Sequence, residues 1–193
     1  MNFILASKSP RRRELLGTMG LKFEVKESIV DESVISKDTE PKIYVQELAM
    51  LKSSSVASDS GEGYLVIGAD TVVVKDGEII GKPKNFDDAF GMLKSFSGSS
   101  HKVYSGISVT DSTSGRTVTT YCETEVFFNH MSDDEITSYI NTYSPYDKAG
   151  SYGIQEFASV FINKIDGDFF NVVGLPISKL YNLLKQEFNV VIR

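Results

Sequence analysis

The chain is poor in the residues from which covalent and metal frameworks are built. One cysteine in 193 residues, Cys122, leaves no internal disulfide to form, which suits a reducing compartment, so a cytoplasmic location is expected. Two histidines, His101 and His130, are too few for a multi-histidine zinc site and argue against a histidine-based hydrolytic triad. No stretch approaches the run of about eighteen apolar residues that crosses a membrane. The N-terminus enters an apolar strand instead of a basic segment with a hydrophobic core behind it, so no secretory signal is expected. Repeats, low-complexity tracts and flexible linkers are also missing, and residues 1–193 are expected to form one domain. Cations are the minority, 20 against 26 carboxylates, for a net charge of −6. A chain this acidic should not coat nucleic acid, and whatever positive charge it uses must be gathered in one place.

What is present reads as strands and helices in alternation. Phe3-Ile4-Leu5-Ala6 is a buried strand and Ser7-Lys8-Ser9 turns the chain. Ser9 is placed to cap a helix that begins at Pro10 and closes at Gly20. Leu21, Phe23 and Val25 alternate as a second strand, 27–39 is a polar, acidic loop, and Pro41 to about Val56 is a helix. Tyr64 to Val74 is a strand, Lys75-Asp76-Gly77 a hairpin turn, and Glu78 to Ile80 the return. Asn85 caps a helix with Phe86, Ala89, Phe90, Leu93 and Phe96 on one face. Strands near 101–109 and 116–129 flank a turn at 111–115, and Ser132 with Glu135 forms a capping box for a helix carrying Ile136, Tyr139 and Ile140. A glycine-bearing loop spans 144–155, a hairpin turns at Asp166-Gly167, a helix runs from about Pro176 to Phe188, and Val190 to Ile192 reads as a last strand. Hairpins interrupt the βα rhythm, so the expected fold is α/β with a mixed sheet.

Three charged positions break these patterns. Arg11, Arg12 and Arg13 occupy the first turn of a helix, where the exposed N–H groups carry about half a positive charge and acidic residues would be stabilising. Cations make sense there if the partner is an external anion, and a strand, a tight turn and a helix N-terminus form a phosphate cradle. At about 100° per residue, Arg12 falls at the centre of the face that Leu15, Leu16 and Met19 bury. The alternative is a solvated basic turn with Arg12 snorkelling. Lys52 lies near the middle of an apolar arc of roughly 140° formed by Tyr44, Val45, Leu48, Ala49 and Val56, so it either snorkels or faces a polar cleft. Asp70 interrupts Leu65-Val66-Ile67-Gly68-Ala69-Asp70-Thr71-Val72-Val73-Val74. A carboxylate kept inside a strand pairs, binds a metal or does chemistry, unless it forms a turn.

Two further segments add to this set. Lys82, in Gly81-Lys82-Pro83, follows the hairpin, where antiparallel pairing could bring it onto a strand neighbouring that of Asp70, although a lysine after a hairpin usually faces solvent. In Asp147-Lys148-Ala149-Gly150-Ser151-Tyr152-Gly153-Ile154-Gln155 the glycines permit close backbone approach, and Gln155 offers an amide donor and acceptor side by side. Uracil and thymine present the complementary N3–H and O4, although the same glutamine could cap a turn.

With Ser7-Lys8-Ser9-Pro10-Arg11-Arg12, Gly68 to Val73, Gly77 to Pro83 and Asp147 to Gln155 assembled in that order, the sequence resembles the Maf family, the septum-formation-inhibitor-like nucleotide pyrophosphatases. The likeness extends to Val172-Val173-Gly174-Leu175-Pro176, nearly the whole chain. It implies a mixed, twisted β-sheet flanked by helices around a deep central cleft, as in inosine triphosphate pyrophosphatases, and a homodimer. It also implies hydrolysis of nucleoside triphosphates to the monophosphate and pyrophosphate with a divalent cation, Mg²⁺ or Mn²⁺. Carried over by position, Asp70 is the general base and Ser7, Arg11, Arg12, Lys52 and Lys82 contact phosphate. Glu32 joins Asp70 as a metal-site carboxylate, and Arg11, Thr71 and Gln155 govern substrate choice. The Gly-Ile-Gln form is similar to the dTTP- and UTP-directed branch, as opposed to the branch acting on 7-methyl-GTP. One departure is that Glu156-Phe157-Ala158 follow Gln155 where the family often has glycines. Two rival readings use the same residues: a nucleotide-binding regulator of cell division without turnover, and a phosphomonoesterase. Asp70 speaks against the first, because a binder of polyanions gains nothing from an added negative charge unless it holds a metal.

Overall fold

A computed structural model describes residues 2–192. Seven strands form one mixed sheet: β1 (Asn2–Leu5), β2 (Phe23–Val25), β3 (Tyr64–Lys75), β4 (Glu78–Ile80), β5 (Ser100–Asp111), β6 (Thr117–Phe128) and β7 (Ile162–Asp166). Their order is β2-β1-β3-β5-β6-β7, with β4 against β3. Strand β1 runs parallel to β2 and β3, and the remaining pairs are antiparallel, as the interrupted βα rhythm requires. The helices are α1 (Pro10–Thr18), α2 (Pro41–Ser58), α3 (Phe86–Phe96), α4 (Asp133–Tyr143), α5 (Phe169–Val173) and α6 (Ile177–Phe188). None of them, among the described residues, is long and apolar enough to cross a membrane.

Local chemistry accounts for most element ends. The Ser9 hydroxyl accepts from the Arg12 N–H, with Pro10 at the first helical position. Asn85 caps α3, and Ser132 and Glu135 make the reciprocal capping box of α4. Asp76 and Gly77, both at positive φ, turn β3 into β4.

Two expectations fail. No hairpin forms at Asp166-Gly167: the Asp168 carboxylate accepts from the N–H groups of Phe170 and Asn171 and starts α5 in its place. Val190 to Ile192 is not a strand. Asn189 adopts a left-handed cap with φ 54°, and the Val190 N–H returns to the Leu184 carbonyl, folding the end back onto the core.

Alternation along the strands divides the interior. Phe3, Leu5, Leu65, Ile67, Val103, Ile107 and Val126 face one way and pack with Leu15, Leu93, Phe96, Ile136, Ile140, Leu180 and Leu184 from the helices. Each such side chain contributes about 1.5–3 kcal/mol on burial. Helix α2 lies on the opposite face, very close to the sheet. A Cβ on Gly68 would sit 2.2 Å from the Ala49 carbonyl oxygen, and one on Gly106 2.1 Å from that of Val45. Glycine is required at both places because helix backbone occupies the side-chain position.

The sheet also has a gap. Strand β1 pairs with β3 only as far as Leu5 opposite Ile67, and β4 joins the same edge from Val73 onward. Asp70 and Thr71 lie in the opening between them. As successive strand residues they point to opposite faces, so the gap joins the α2 side to the core side.

Candidate active site

Asp70 is buried in the middle of β3, opposite Gly106 of β5. Because Gly106 and Gly68 let α2 approach, Lys52 reaches it: the ammonium lies 2.6 Å from Asp70 Oδ1 and 2.7 Å from Glu32 Oε1. Glu32 arrives from the loop 27–39, in a single helical turn (Glu32–Val34) that Asp31 caps. Lys52 therefore faces a polar cleft and does not snorkel. An unpaired ammonium there would cost several kcal/mol, which two carboxylates offset.

Arg12 approaches from the other side of the gap. Its guanidinium donates from Nε to the Gly174 carbonyl at 2.9 Å, from Nη2 to Thr71 Oγ1 at 3.1 Å and from Nη1 to Ser7 Oγ at 3.4 Å. All three acceptors are neutral. Burial lowers its pKa from the usual arginine value, Arg11 acts the same way, and the charges of Asp70 and Glu32 oppose them. Thr71 is itself braced by Ser105 Oγ at 2.8 Å, and Ser105 donates to the Asn171 carbonyl. Gly174, which closes the short helix α5, supplies the carbonyl oxygen that orients Arg12.

These groups open into one cavity of about 950 Å³. Ser7, Arg11, Arg12 and Thr71 line it on one side and Glu32, Lys52 and Asp70 on the other, with Lys82 and Gln155 at its edge. All nine candidates from the sequence are brought together. Arg13, which flanks Arg12 in sequence, is exposed and does not line it.

Most of the charges within are already matched. Lys8 pairs with Glu27, Arg11 with Asp147, and Lys148 with both Asp147 and Glu156. Burial raises the pKa of Asp147, but hydrogen bonds from Lys148 and Arg11 outweigh it and leave the carboxyl below its usual range. Arg12, Lys37 and Lys82 line the cavity with no carboxylate partner among the described residues. An acidic protein has gathered uncompensated positive charge at one opening.

A family model described as Maf-like protein matches residues 2–187. The chain belongs to the Maf-like protein family. It is 50% identical over 190 residues, 98% of each chain, to a protein of Thermoanaerobacter sp. (strain X514) named dTTP/UTP pyrophosphatase. It is 47% identical to a protein of the same name from Caldanaerobacter subterraneus subsp. tengcongensis, covering 98% of this chain and 91% of that one. Among solved structures, the Staphylococcus aureus Ham1 protein is similar over 66% of this chain and 72% of its own, with 14% identity and a TM-score of 0.48.

In this Maf-like chain, among the described residues, the carboxylates that reach Lys52 are Asp70 and Glu32, and Lys52 takes one oxygen from each. The second oxygens have no partner among the described residues, and no group of three or more His, Cys, Asp or Glu side chains poised for a metal occurs among them. Two carboxylates with free oxygens fit a hard divalent cation that takes its other ligands from phosphate and water.

Sequence reasoning missed Lys37 and Tyr44. Lys37 lies in a polar loop where one more lysine breaks no pattern. Tyr44 shares a helical stripe with Leu48 and Lys52 and reads as core, yet all three line the cavity. Burial raises the Tyr44 pKa, helped by the charges of Asp70 and Glu32, so its hydroxyl stays protonated.

Proposed function

We propose that the chain is a nucleoside triphosphate pyrophosphatase that converts dTTP and UTP to the monophosphate and pyrophosphate, residues 1–193 acting as one catalytic domain. The charge layout carries this reading: a buried carboxylate, Asp70, at the floor of a cavity with unmatched cations Arg12, Lys37 and Lys82 around it. A triphosphate brings about four negative charges to that opening. The names of relatives near 50% identity support the substrate.

In this reading the triphosphate attracts Lys52 away from the carboxylates, and Asp70 orients a water. The water oxygen bonds to the α-phosphorus as the bond from that phosphorus to the bridging oxygen breaks. Asp70 takes the proton, and pyrophosphate leaves with the bridging oxygen, its charge met by Arg11, Arg12, Lys52 and Lys82, while Ser7 supports the phosphates. Help of this kind from a general base is worth about 10²–10⁴-fold. Asp70 and Glu32 would hold a divalent cation, Mg²⁺ or Mn²⁺, which when bound neutralises phosphate charge. Gln155 meets the pyrimidine edge. The thymine methyl is worth only about 1–3 kcal/mol, so dTTP and UTP should be discriminated poorly. The resemblance also carries a homodimer, which sedimentation would test.

The deciding experiment incubates the purified protein and Mg²⁺ or Mn²⁺ with a panel of nucleoside triphosphates and follows the products. Pyrophosphate and monophosphate from dTTP and UTP, above the purine nucleotides, is the expected result. Orthophosphate alone would contradict the reaction, and a flat panel would contradict the base preference.

A further inference from the structure

Gln155 sits on a tight turn that the Glu156 N–H closes by donating to the Gly153 carbonyl at 3.0 Å. Its side chain is exposed and makes no hydrogen bond among the described residues. An amide that reads a base edge must present donor and acceptor in a fixed order, and nothing attached to Gln155 itself imposes one. Orientation must come from the turn, and the turn is gripped by its neighbours.

Glu156 folds back so that Oε1 lies 3.3 Å from Lys148 Nζ. A Cβ on Gly153 would meet Glu156 Cδ at 2.8 Å and Lys148 Cε at 3.0 Å, so both side chains lie against the turn's backbone. The Lys148 side chain is only 10% exposed and that of Glu156 38%, so solvent screens the pair from the Glu156 side only. The same ammonium is 2.8 Å from Asp147 Oδ1, and Asp147 Oδ2 accepts from Arg11 Nη1 at 3.1 Å. A continuous chain of opposite charges, Glu156–Lys148–Asp147–Arg11, therefore runs from the turn bearing Gln155 to the first turn of α1.

We propose that Lys148 and Glu156 are positioning residues for base recognition, an ion-pair clamp that holds the 153–156 turn so that Gln155 faces the base, anchored through Asp147 and Arg11 to the phosphate end. The inference rests on the reading that a nucleoside triphosphate occupies this cavity. The Lys148 and Glu156 side chains both line the cavity, and the role proposed for them is indirect, through Gln155. Gly153 belongs to the same device, since any side chain there would push the pair off the turn.

Binding tests it independently of turnover. Dissociation constants for the α,β-methylene analogues of dTTP and dGTP, and for inorganic tripolyphosphate, are measured on the full chain and its variants. The wild type should prefer the dTTP analogue. Glu156→Gln should cut that preference about tenfold while changing tripolyphosphate affinity by less than about twofold. In a Gln155→Ala background, adding Glu156→Gln should change the preference by less than about twofold, because the clamp has nothing left to orient. Lys148→Met should reproduce Glu156→Gln, and Lys148→Arg, which keeps the pairing, should restore the preference; if Lys148→Met does not fold, Glu156→Gln and Lys148→Arg carry the test. A Glu156→Gln protein with unaltered preference, or an equal further loss in the Gln155→Ala background, overturns the clamp. If the analogues behave as expected but no pyrophosphate is released, the clamp stands and the pyrophosphatase reading falls. If dTTP is cleaved preferentially and Glu156→Gln leaves the ranking unchanged, the reaction stands and the clamp falls. A wild type that binds neither analogue overturns both.

Discussion

Helix α2 and the sheet face beneath it bury polar chemistry: Lys52 between Asp70 and Glu32, and Ser53 Oγ within 2.8 Å of Ser108 Oγ and 2.9 Å of Thr110 Oγ1. The opposite face buries Leu, Ile, Val and Phe side chains from α1, α3, α4 and α6, with His101 among aromatic rings. The first face gets its order from close backbone approach across glycine, the second from bulk. Charges are tolerated on the α2 side because a helix backbone almost touching the strand delivers each partner within hydrogen-bond reach. On the other side apolar volume does most of the stabilising, and the polar contacts gather at the gap, where Arg12 meets Thr71, Gly174 and Ser7. Buried carboxylates are therefore kept to the α2 side, the larger apolar core to the other, and the gap joins the two.

Substitutions can break that division. Asp70→Asn should lower turnover by about 10²–10⁴-fold with an unfolding midpoint close to wild type; a variant with near-normal pyrophosphate release would remove Asp70 as the base. Phe96→Ala, on the apolar side, should cost about 3–5 kcal/mol, because Phe96 is fully buried and stacks on His101 with ring centroids 4.1 Å apart. Urea unfolding would read it, and a cost under about 1 kcal/mol would show that the core is looser than its packing implies. Gly106→Ala should cost about 1–3 kcal/mol by pushing α2 off β5, and should lower activity as well, since Lys52 rides on that helix. A destabilised variant with full activity would separate helix position from Lys52 placement.

At neutral pH the smallest expected effect is that of His101, which emerges only as a pH slope. Burial foremost, and Lys75 secondarily, push the His101 pKa down to about 3, and its Nε2 lies 2.7 Å from the Tyr152 hydroxyl. The unfolded chain takes up the proton near the ordinary value of 6.5 while the folded chain does not. Stability is thus unaffected above about pH 6.5 and falls by up to about 1.4 kcal/mol per pH unit as pH drops from there toward 3. His101→Gln should flatten that slope in unfolding curves taken from pH 7 to 4, and an unchanged slope would assign the acid sensitivity elsewhere.

Much of the local structure was legible from residue order. Ser9 and Pro10, Asn85, and Ser132 with Glu135 start helices where they are read to, because a cap acts within four residues of itself. The α5 helix was legible in principle, Asp168 capping and Gly174 closing it, but its apolar interior reads equally well as strand. The final Val190-Val191-Ile192 run has strand composition but joins no strand of the sheet, so composition misleads there. At the site, Arg12, Lys52 and Asp70 stood out as charges in apolar company, whereas Lys37 and Tyr44 did not, since a lysine in a polar loop and a tyrosine on a buried stripe violate nothing.

Residue order by itself determined where the capped helices begin, which strand faces are apolar, and that three charges required partners. Only the tertiary structure decided who those partners are. Lys52 finds Asp70 because two glycines admit α2 to the sheet, and Arg12 finds Thr71 because β1 stops and β4 has not yet begun along the same edge of β3. Caps and alternation act over a few residues. Which edge is left open, and which side chains meet across it, depends on strand neighbours that no local period encodes.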